Sequence, residues 1–315
     1  MTDLNLALGA MKFGSETDER TSLEILDRFV DAGGTLIDTA NCYSFWSNPE
    51  AEGGHSERVI GAWLAKRPGV RDRVRISTKL GAQPVGGGEW PGNREGLSAP
   101  AIESAVEGSL KRLGTDHIDL LWTHMEDRSV PVEETAGALA KLVDSSTVGR
   151  LGASNHALWR VERARRIAEA NGWTGYTALQ LRHSYLKPRP GAPVPDHNHR
   201  FGWVTDETLD YVESEGDLTV WVYTSLLSGA YARDDRPLFE AYDHPGTTRR
   251  LAALAKAANE LGVTRNQVVL AWLTGGTPPI TPIVGVSSLA QLDEAVAGAA
   301  LVLPAELRAE LDAAV

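Results

Sequence analysis

A single cysteine, Cys42, occurs in the 315 residues, so no disulfide can form within the chain and its stability must come from a packed core. Nowhere does an uninterrupted apolar run approach the ~18 residues of a membrane-spanning helix. The opening MTDLNLALGA carries neither the basic segment nor the long apolar stretch of a signal peptide, so the chain is expected in the cytoplasm with no membrane partner. Positive charge is in deficit: 31 Lys and Arg face 42 Asp and Glu, a net charge of −11, which argues against a nucleic-acid partner that needs clustered cations. Glycine-rich phosphate loops are missing too. Gly86-Gly87-Gly88 lacks the G-x-G-x-x-G spacing and nothing matches G-x-x-x-x-G-K-[ST], so neither the Rossmann turn nor the P-loop is supported. His197-Asn198-His199 offers two imidazoles in a Pro-rich polar segment, but no carboxylate or Cys cluster completes a ligand set, and a solvated loop with no metal is the expectation. Nothing in the chain specifies an oligomeric state.

What is present is alternation. With 42% apolar residues the chain can bury a large core. Short β-branched runs begin at Ala7, Thr35, Val74, Ile118, Val148, Ala178, Thr219 and Ile280. Amphipathic stretches follow at Glu19–Ala32, Ser56–Ala65, Ala99–Leu113, Val132–Ser145, Leu158–Asn171, Asp206–Glu215, Arg249–Leu261 and Leu289–Ala297. Eight strand–helix units over this length predict a (β/α)8 TIM barrel. A second helical stretch, Arg265–Leu273, and a tail opened by Pro304 are read as additional C-terminal helices. No linker divides two compositions, so residues 1–315 are taken as one domain, with loops at 44–54, 81–98 and 187–204.

Barrel active sites are built at the carboxyl ends of the strands. Asp38, Lys79 and His124 fall there on three successive strand-like runs, TLID, VRISTK and IDLLWTH, and Tyr43 lies just beyond the first. Alone, each has a plain reading: a cap, a solvated strand end, a core histidine, rim packing. Together they are expected to form an acid site. A phenol near pKa 10 is a weak acid, and the Lys79 ammonium is expected to lower that value while Asp38 holds the ammonium and His124 donates to a carbonyl oxygen. Cys42 has no evident activating partner and reads as a buried or idle thiol. Phe45, Trp46, Trp90 and Met125 follow the polar positions and form either an apolar wall or loop packing.

These blocks resemble the aldo-keto reductase family. GTLIDTANCY is similar to its Asp-x-x-x-x-Tyr block, VRISTKLG to its lysine strand, and IDLLWTHMEDRSVP to its histidine strand, with Asp127 and Pro131 following. VGRLGASN resembles the strand that places Ser154 and Asn155, with Gln180 of ALQL alongside, at the nicotinamide carboxamide. VWVYTSLLSG resembles the segment whose tyrosine, here Tyr223, stacks on the nicotinamide ring, with Thr224, Leu226 and Ser228 facing the pyrophosphate. PIVGVSSLAQLDEA resembles the adenosine-end segment and carries over Gly285, Ser287, Gln291 and Glu294; Met11 belongs to the opening LGAMKFG block.

The resemblance implies reversible hydride transfer between NADP(H) and an aldehyde or ketone, a small-molecule carbonyl substrate, with Tyr43 as proton donor, tuned by Lys79 and Asp38, and His124 orienting the carbonyl. Departures are local. His183-Ser184 stands where a Tyr-Asn pair is common, and Ala295 follows Glu294 in place of an asparagine. Gln291 occupies the usual basic place, which leaves Arg233 to meet a 2′-phosphate; NADPH is expected, with NADH possible. Two other classes stay open at this point, an NADPH-binding redox sensor with negligible turnover and an aldolase-like barrel using Lys79 as a Schiff-base amine.

Overall fold

A computed structural model describes residues 4–47, 50, 52–195 and 201–314 of the chain. Eight strands close into one parallel barrel in sequence order: β1 (Ala7–Gly9), β2 (Leu36–Asp38), β3 (Arg75–Leu80), β4 (Ile118–Thr123), β5 (Val148–Ser154), β6 (Ala178–Arg182), β7 (Thr219–Tyr223) and β8 (Ile280–Gly285). β1 pairs with β8 in the register Ala7↔Ile283 and Gly9↔Gly285 and so completes the circle. The barrel helices are α1 (Glu19–Asp31), α2 (His55–Lys66), α3 (Ala99–Leu113), α4 (Val132–Asp144), α5 (Leu158–Ala170), α6 (Asp206–Glu215), α7 (Pro245–Leu261), α8 (Arg265–Thr274), α9 (Leu289–Ala300) and α10 (Ala305–Ala313). This is the expected TIM barrel, with α8 and α10 as the added helices. No helix among the described residues is long and apolar enough to cross a membrane.

Local chemistry explains the boundaries. Asp18 caps α1 by accepting from the Thr21 amide at 3.0 Å, and Thr205 and Thr264 form reciprocal capping boxes at α6 and α8. α7 starts at Pro245, four residues before the Arg249 expected from periodicity. Proline fits the first helical turn, whereas Gly246-Thr247-Thr248 dilutes the apolar pattern there. α9 continues to Ala300 because its last turn, AGAA, favours helix without adding amphipathic signal.

Inside the barrel Ala7, Leu120, Trp122, Ala178, Trp221 and Ile283 form a compact apolar layer. Trp122 and Trp221 meet edge to face, with ring centroids 5.5 Å apart. Space for Trp122 comes from Gly152 on the neighbouring strand, where a Cβ would lie 2.2 Å from the indole Cε3. Two residues on from that notch stands Ser154, the end of β5. Gly152→Ala should therefore overpack the layer and cost about 1–3 kcal/mol; an unchanged denaturant midpoint would show that the indole has room the geometry denies it.

Candidate active site

The carboxyl ends of β2, β3, β4 and β6 bring the polar residues together. Asp38 and Ser77 are register partners, and Ser77 and Lys79 alternate onto the same face of β3. The Lys79 ammonium donates to Asp38 Oδ2, to the Thr39 carbonyl at 2.8 Å and to Tyr43 Oη at 2.9 Å. Asp38 Oδ1 also accepts from Ser77 Oγ at 2.7 Å and Gln180 Nε2 at 3.2 Å. Asp38, Lys79 and Gln180 are all buried. His124 follows β4 with its amide on the Leu80 carbonyl at 2.8 Å. Its ring meets Tyr43 edge on, at a centroid distance of 5.9 Å.

Burial reverses one expectation. The Lys79 ammonium does sit on the phenol, yet the Tyr43 pKa is pushed well above 10, because the phenolate would be desolvated and would face the Asp38 charge. Burial likewise lowers Lys79, against the opposing pull of Asp38. The pocket thus keeps the proton on Tyr43 at rest. A raised phenol pKa still suits an acid that protonates an alkoxide, which is the stronger base, and the phenolate formed would receive the Lys79 hydrogen bond.

The expected cofactor residues divide into three groups. At the barrel mouth, Tyr223 Oη donates to Asn155 Oδ1 at 2.8 Å, and Asn155 Nδ2 donates to the His124 carbonyl at 3.0 Å and to Ser154 Oγ at 3.1 Å. Asn155 adopts φ +57°, a left-handed conformation that asparagine tolerates. Ser154, Asn155, Gln180 and Tyr223 are therefore contiguous with the acid site. Next comes the loop after β7, where Thr224, Leu227 and Ser228 all have positive φ (58°, 48° and 56°), bending it sharply. Leu226 packs against the core while Ser228 is exposed, and the hydroxyl of buried Ser225 has no partner among the described residues.

The third group lies at the end of β8. Gly285 is exposed, and Gln291 Oε1 accepts from the Ser287 amide at 2.8 Å beside the α9 N-terminus capped by Ser288. Glu294 is engaged elsewhere, accepting from Thr264 Oγ1 at 2.6 Å and Asn266 Nδ2 at 3.3 Å and so binding α9 to α8. Arg233 pairs with Asp235 at 2.5 Å. Met11 stands exposed just past β1.

Several contacts were not legible beforehand. Glu57, buried on α2, accepts from Thr78 Oγ1 at 2.5 Å and Arg112 Nε at 2.6 Å, fixing the strand that carries Lys79. Glu95 accepts from Asn41 Nδ2 at 2.8 Å and the Gly81 amide at 2.5 Å, tying the Asp38–Tyr43 turn to the loop after β3. Asp127 ties the segment after β4 to the same loop, accepting from the Leu97 amide at 3.0 Å. None of these ties has a local sequence signal, because each joins residues at least 14 positions apart in the chain. His183 is buried with its ring 5.8 Å from that of Trp272, and burial lowers its pKa to about 4, so it packs as a neutral ring. Residues 197–199 lie outside the described part, and no group of three His, Cys, Asp or Glu among the described residues is placed to hold a metal.

Around the acid site the aromatics split as well. Trp90 Nε1 donates to the Ala82 carbonyl at 2.9 Å and holds its own loop, while Met125 is buried against Ala40, Cys42 and Ala82. Phe45 and Trp46 form a 3₁₀ turn, with Trp46 47% exposed and its ring 6.4 Å from that of Tyr43.

Residues 5–315 match the family described as the aldo/keto reductase family, and the chain belongs to it. It is 30% identical over 302 residues to a Bacillus subtilis protein named uncharacterized oxidoreductase YrpG, spanning 96% of this chain and 89% of that one. Against norsolorinic acid reductase A of Aspergillus parasiticus it is 30% identical over 326 residues, 98% and 76% of the two chains. A shorter stretch of 178 residues is 38% identical to human aflatoxin B1 aldehyde reductase member 4, covering 56% of this chain and 48% of that one. The protein is an oxidoreductase whose family reduces carbonyl compounds with nicotinamide cofactors.

The raised Tyr43 pKa has a direct check. Since a group shifted upward keeps its proton to higher pH, the difference in phenolate absorbance between the wild type and Tyr43→Phe should show no ionisation below the ordinary phenol value of 10.0. A step below that value would mean the ammonium outweighs burial.

Proposed function

We propose that the chain uses NADP(H) to interconvert an aldehyde or ketone and its alcohol, with the barrel and its added helices acting as one domain, 1–315. The observation that carries this reading is the three-way seat of Lys79 Nζ on Asp38, Thr39 O and Tyr43 Oη. An ammonium whose three hydrogens are all committed is suited to stabilising a phenolate. It is badly placed to act as a Schiff-base nucleophile, which needs a free lone pair turned to the cavity.

Bound nicotinamide would supply or accept the hydride. Ser154, Asn155 and Gln180 fit its carboxamide, and Tyr223, fixed by its bond to Asn155, offers a ring face. The bent loop Thr224–Ser228, with the unpartnered Ser225 hydroxyl, and the α9 N-terminus near Ser287 and Gln291 suit phosphate oxygens. Arg233, on exchanging Asp235 for it, is the cation proposed to meet a 2′-phosphate, so NADPH is the preferred cofactor in this reading and NADH the weaker alternative. In reduction His124 donates to the substrate oxygen and holds the carbonyl toward Tyr43, which gives up its proton as negative charge develops. Lys79 then steadies the phenolate, and Asp38 keeps Lys79 charged.

Exposed Trp46 beside Tyr43 favours flat aromatic carbonyls. Relatives named for norsolorinic acid and aflatoxin B1 aldehyde point the same way. A redox sensor would have no need of the acid assembly.

Turnover of NADPH against a carbonyl panel, after fluorescence titration with NADPH and NADH, tests this directly. Tyr43→Phe should lose at least about a hundredfold in rate with NADPH binding retained; undiminished turnover would remove Tyr43 from the chemistry. Trp46→Ala should raise KM about three- to tenfold for flat aromatic aldehydes and leave small aliphatic ones unchanged, as expected for loss of one stacking contact. An equal effect on both classes would make the indole a loop support.

A further inference from the structure

Cys42 is a buried thiol, as expected, and the fold carries it to His124, 82 residues away. Sγ and Nδ1 are 3.6 Å apart, within hydrogen-bond range for sulfur. Both partners are held in place independently. The turn bearing Cys42 is fixed by Asn41 N on the Lys79 carbonyl at 3.0 Å and by Phe45 N on the Cys42 carbonyl at 3.2 Å. Gly53 presses against it, with no room for a Cβ: the Cys42 Cα would be 2.6 Å away. His124 is held through its amide by Leu80 O and through its carbonyl by Asn155 Nδ2. The backbones that bring the two side chains together, just beyond β2 and β4, are thus each anchored by bonds of their own.

A neutral imidazole carries one hydrogen, on Nδ1 or on Nε2, and only the second form can donate from Nε2. We propose that Cys42 is a positioning residue that sets this choice: its S–H donates to His124 Nδ1, so the ring hydrogen resides on Nε2, where it can reach a substrate oxygen. Imidazole nitrogen is a good acceptor and thiol sulfur a poor one, which favours this direction over Nδ1–H donating to sulfur. The thiol retains its hydrogen because Cys42 is buried among Ala40, Ala82 and Met125, which raises its pKa to about 12. Lys79 opposes that rise, and Glu95 and Glu57 add to it. Use of the Nε2 hydrogen rests on the carbonyl-reduction reading; the tautomer is a property of the resting protein.

Long-range ¹H–¹⁵N correlation spectra of ¹⁵N-histidine protein, with His124→Gln to assign the ring, give the tautomer without any substrate. The wild type should show a bare Nδ1 and a protonated Nε2. Cys42→Ala should mix the two tautomers and lower kcat/KM for carbonyl reduction about tenfold, the effect of one lost hydrogen bond, while Cys42→Ser, which keeps a donor, should recover the Nε2–H form and most of the rate. A protonated Nδ1 in the wild type, whether neutral tautomer or imidazolium, overturns the assignment by itself, even where a variant fails to fold. So does an Ala variant with the wild-type tautomer, whatever its rate. The expected tautomers with no turnover in any protein would leave Cys42 in its role and defeat the reductase reading instead.

Discussion

One buried cation organises the candidate active site. Lys79 is 1% exposed and has all three hydrogens assigned, to a carboxylate, a carbonyl and a phenol. Desolvating an ammonium is costly unless each hydrogen finds a partner, and the surrounding structure is arranged to supply them. Asp38 is held by Ser77 and Gln180, the β3 strand by Glu57, and the Tyr43 turn by Glu95 through Asn41. The proposed catalytic residues are thus placed by a shell of polar contacts from α2, β3, β6 and the loop after β3.

The same burial explains why the phenol behaves differently from its sequence expectation. Proximity of a positive charge is readable from spacing, but the dielectric of the site is not. Removing water destabilises the phenolate and the ammonium together, and Asp38, needed to compensate Lys79, also repels the phenolate. In the proposed reaction Lys79 would act on Tyr43 less as a permanent acidifier than as a partner ready for the charge that appears when the proton leaves.

Most strand starts and the helix order were legible because apolar period and turn chemistry are local. Six strands begin at the residues read from sequence, and the other two differ by one position, since Thr35 and Val74 precede their first ladder pairs Leu36↔Arg75 and Ala7↔Leu36. Asp38, Lys79 and His124 were visible as polar residues closing apolar strands. What escaped notice depended on side chains meeting across long separations: Cys42 with His124, Glu57 with Thr78 and Arg112, Glu294 with the α8 cap. The fates of Trp46 and Trp90, one presented to solvent and one holding its loop, were likewise undecidable until loop paths were known, because hydrophobicity is common to both outcomes.

Closure of the barrel by its first and last strands has a consequence for the whole chain. The seam between β1 and β8 is stitched by Asn5, which donates to the Ile280 carbonyl at 3.1 Å and accepts from Thr281 Oγ1 at 2.6 Å. A cylinder of hydrogen bonds has no terminal stave to lose at small cost, since removing either one bares two edges and opens the apolar layer to water. Cooperativity in this fold is therefore a matter of topology, and residues at the end of the barrel opposite the mouth are among those that keep the wall round.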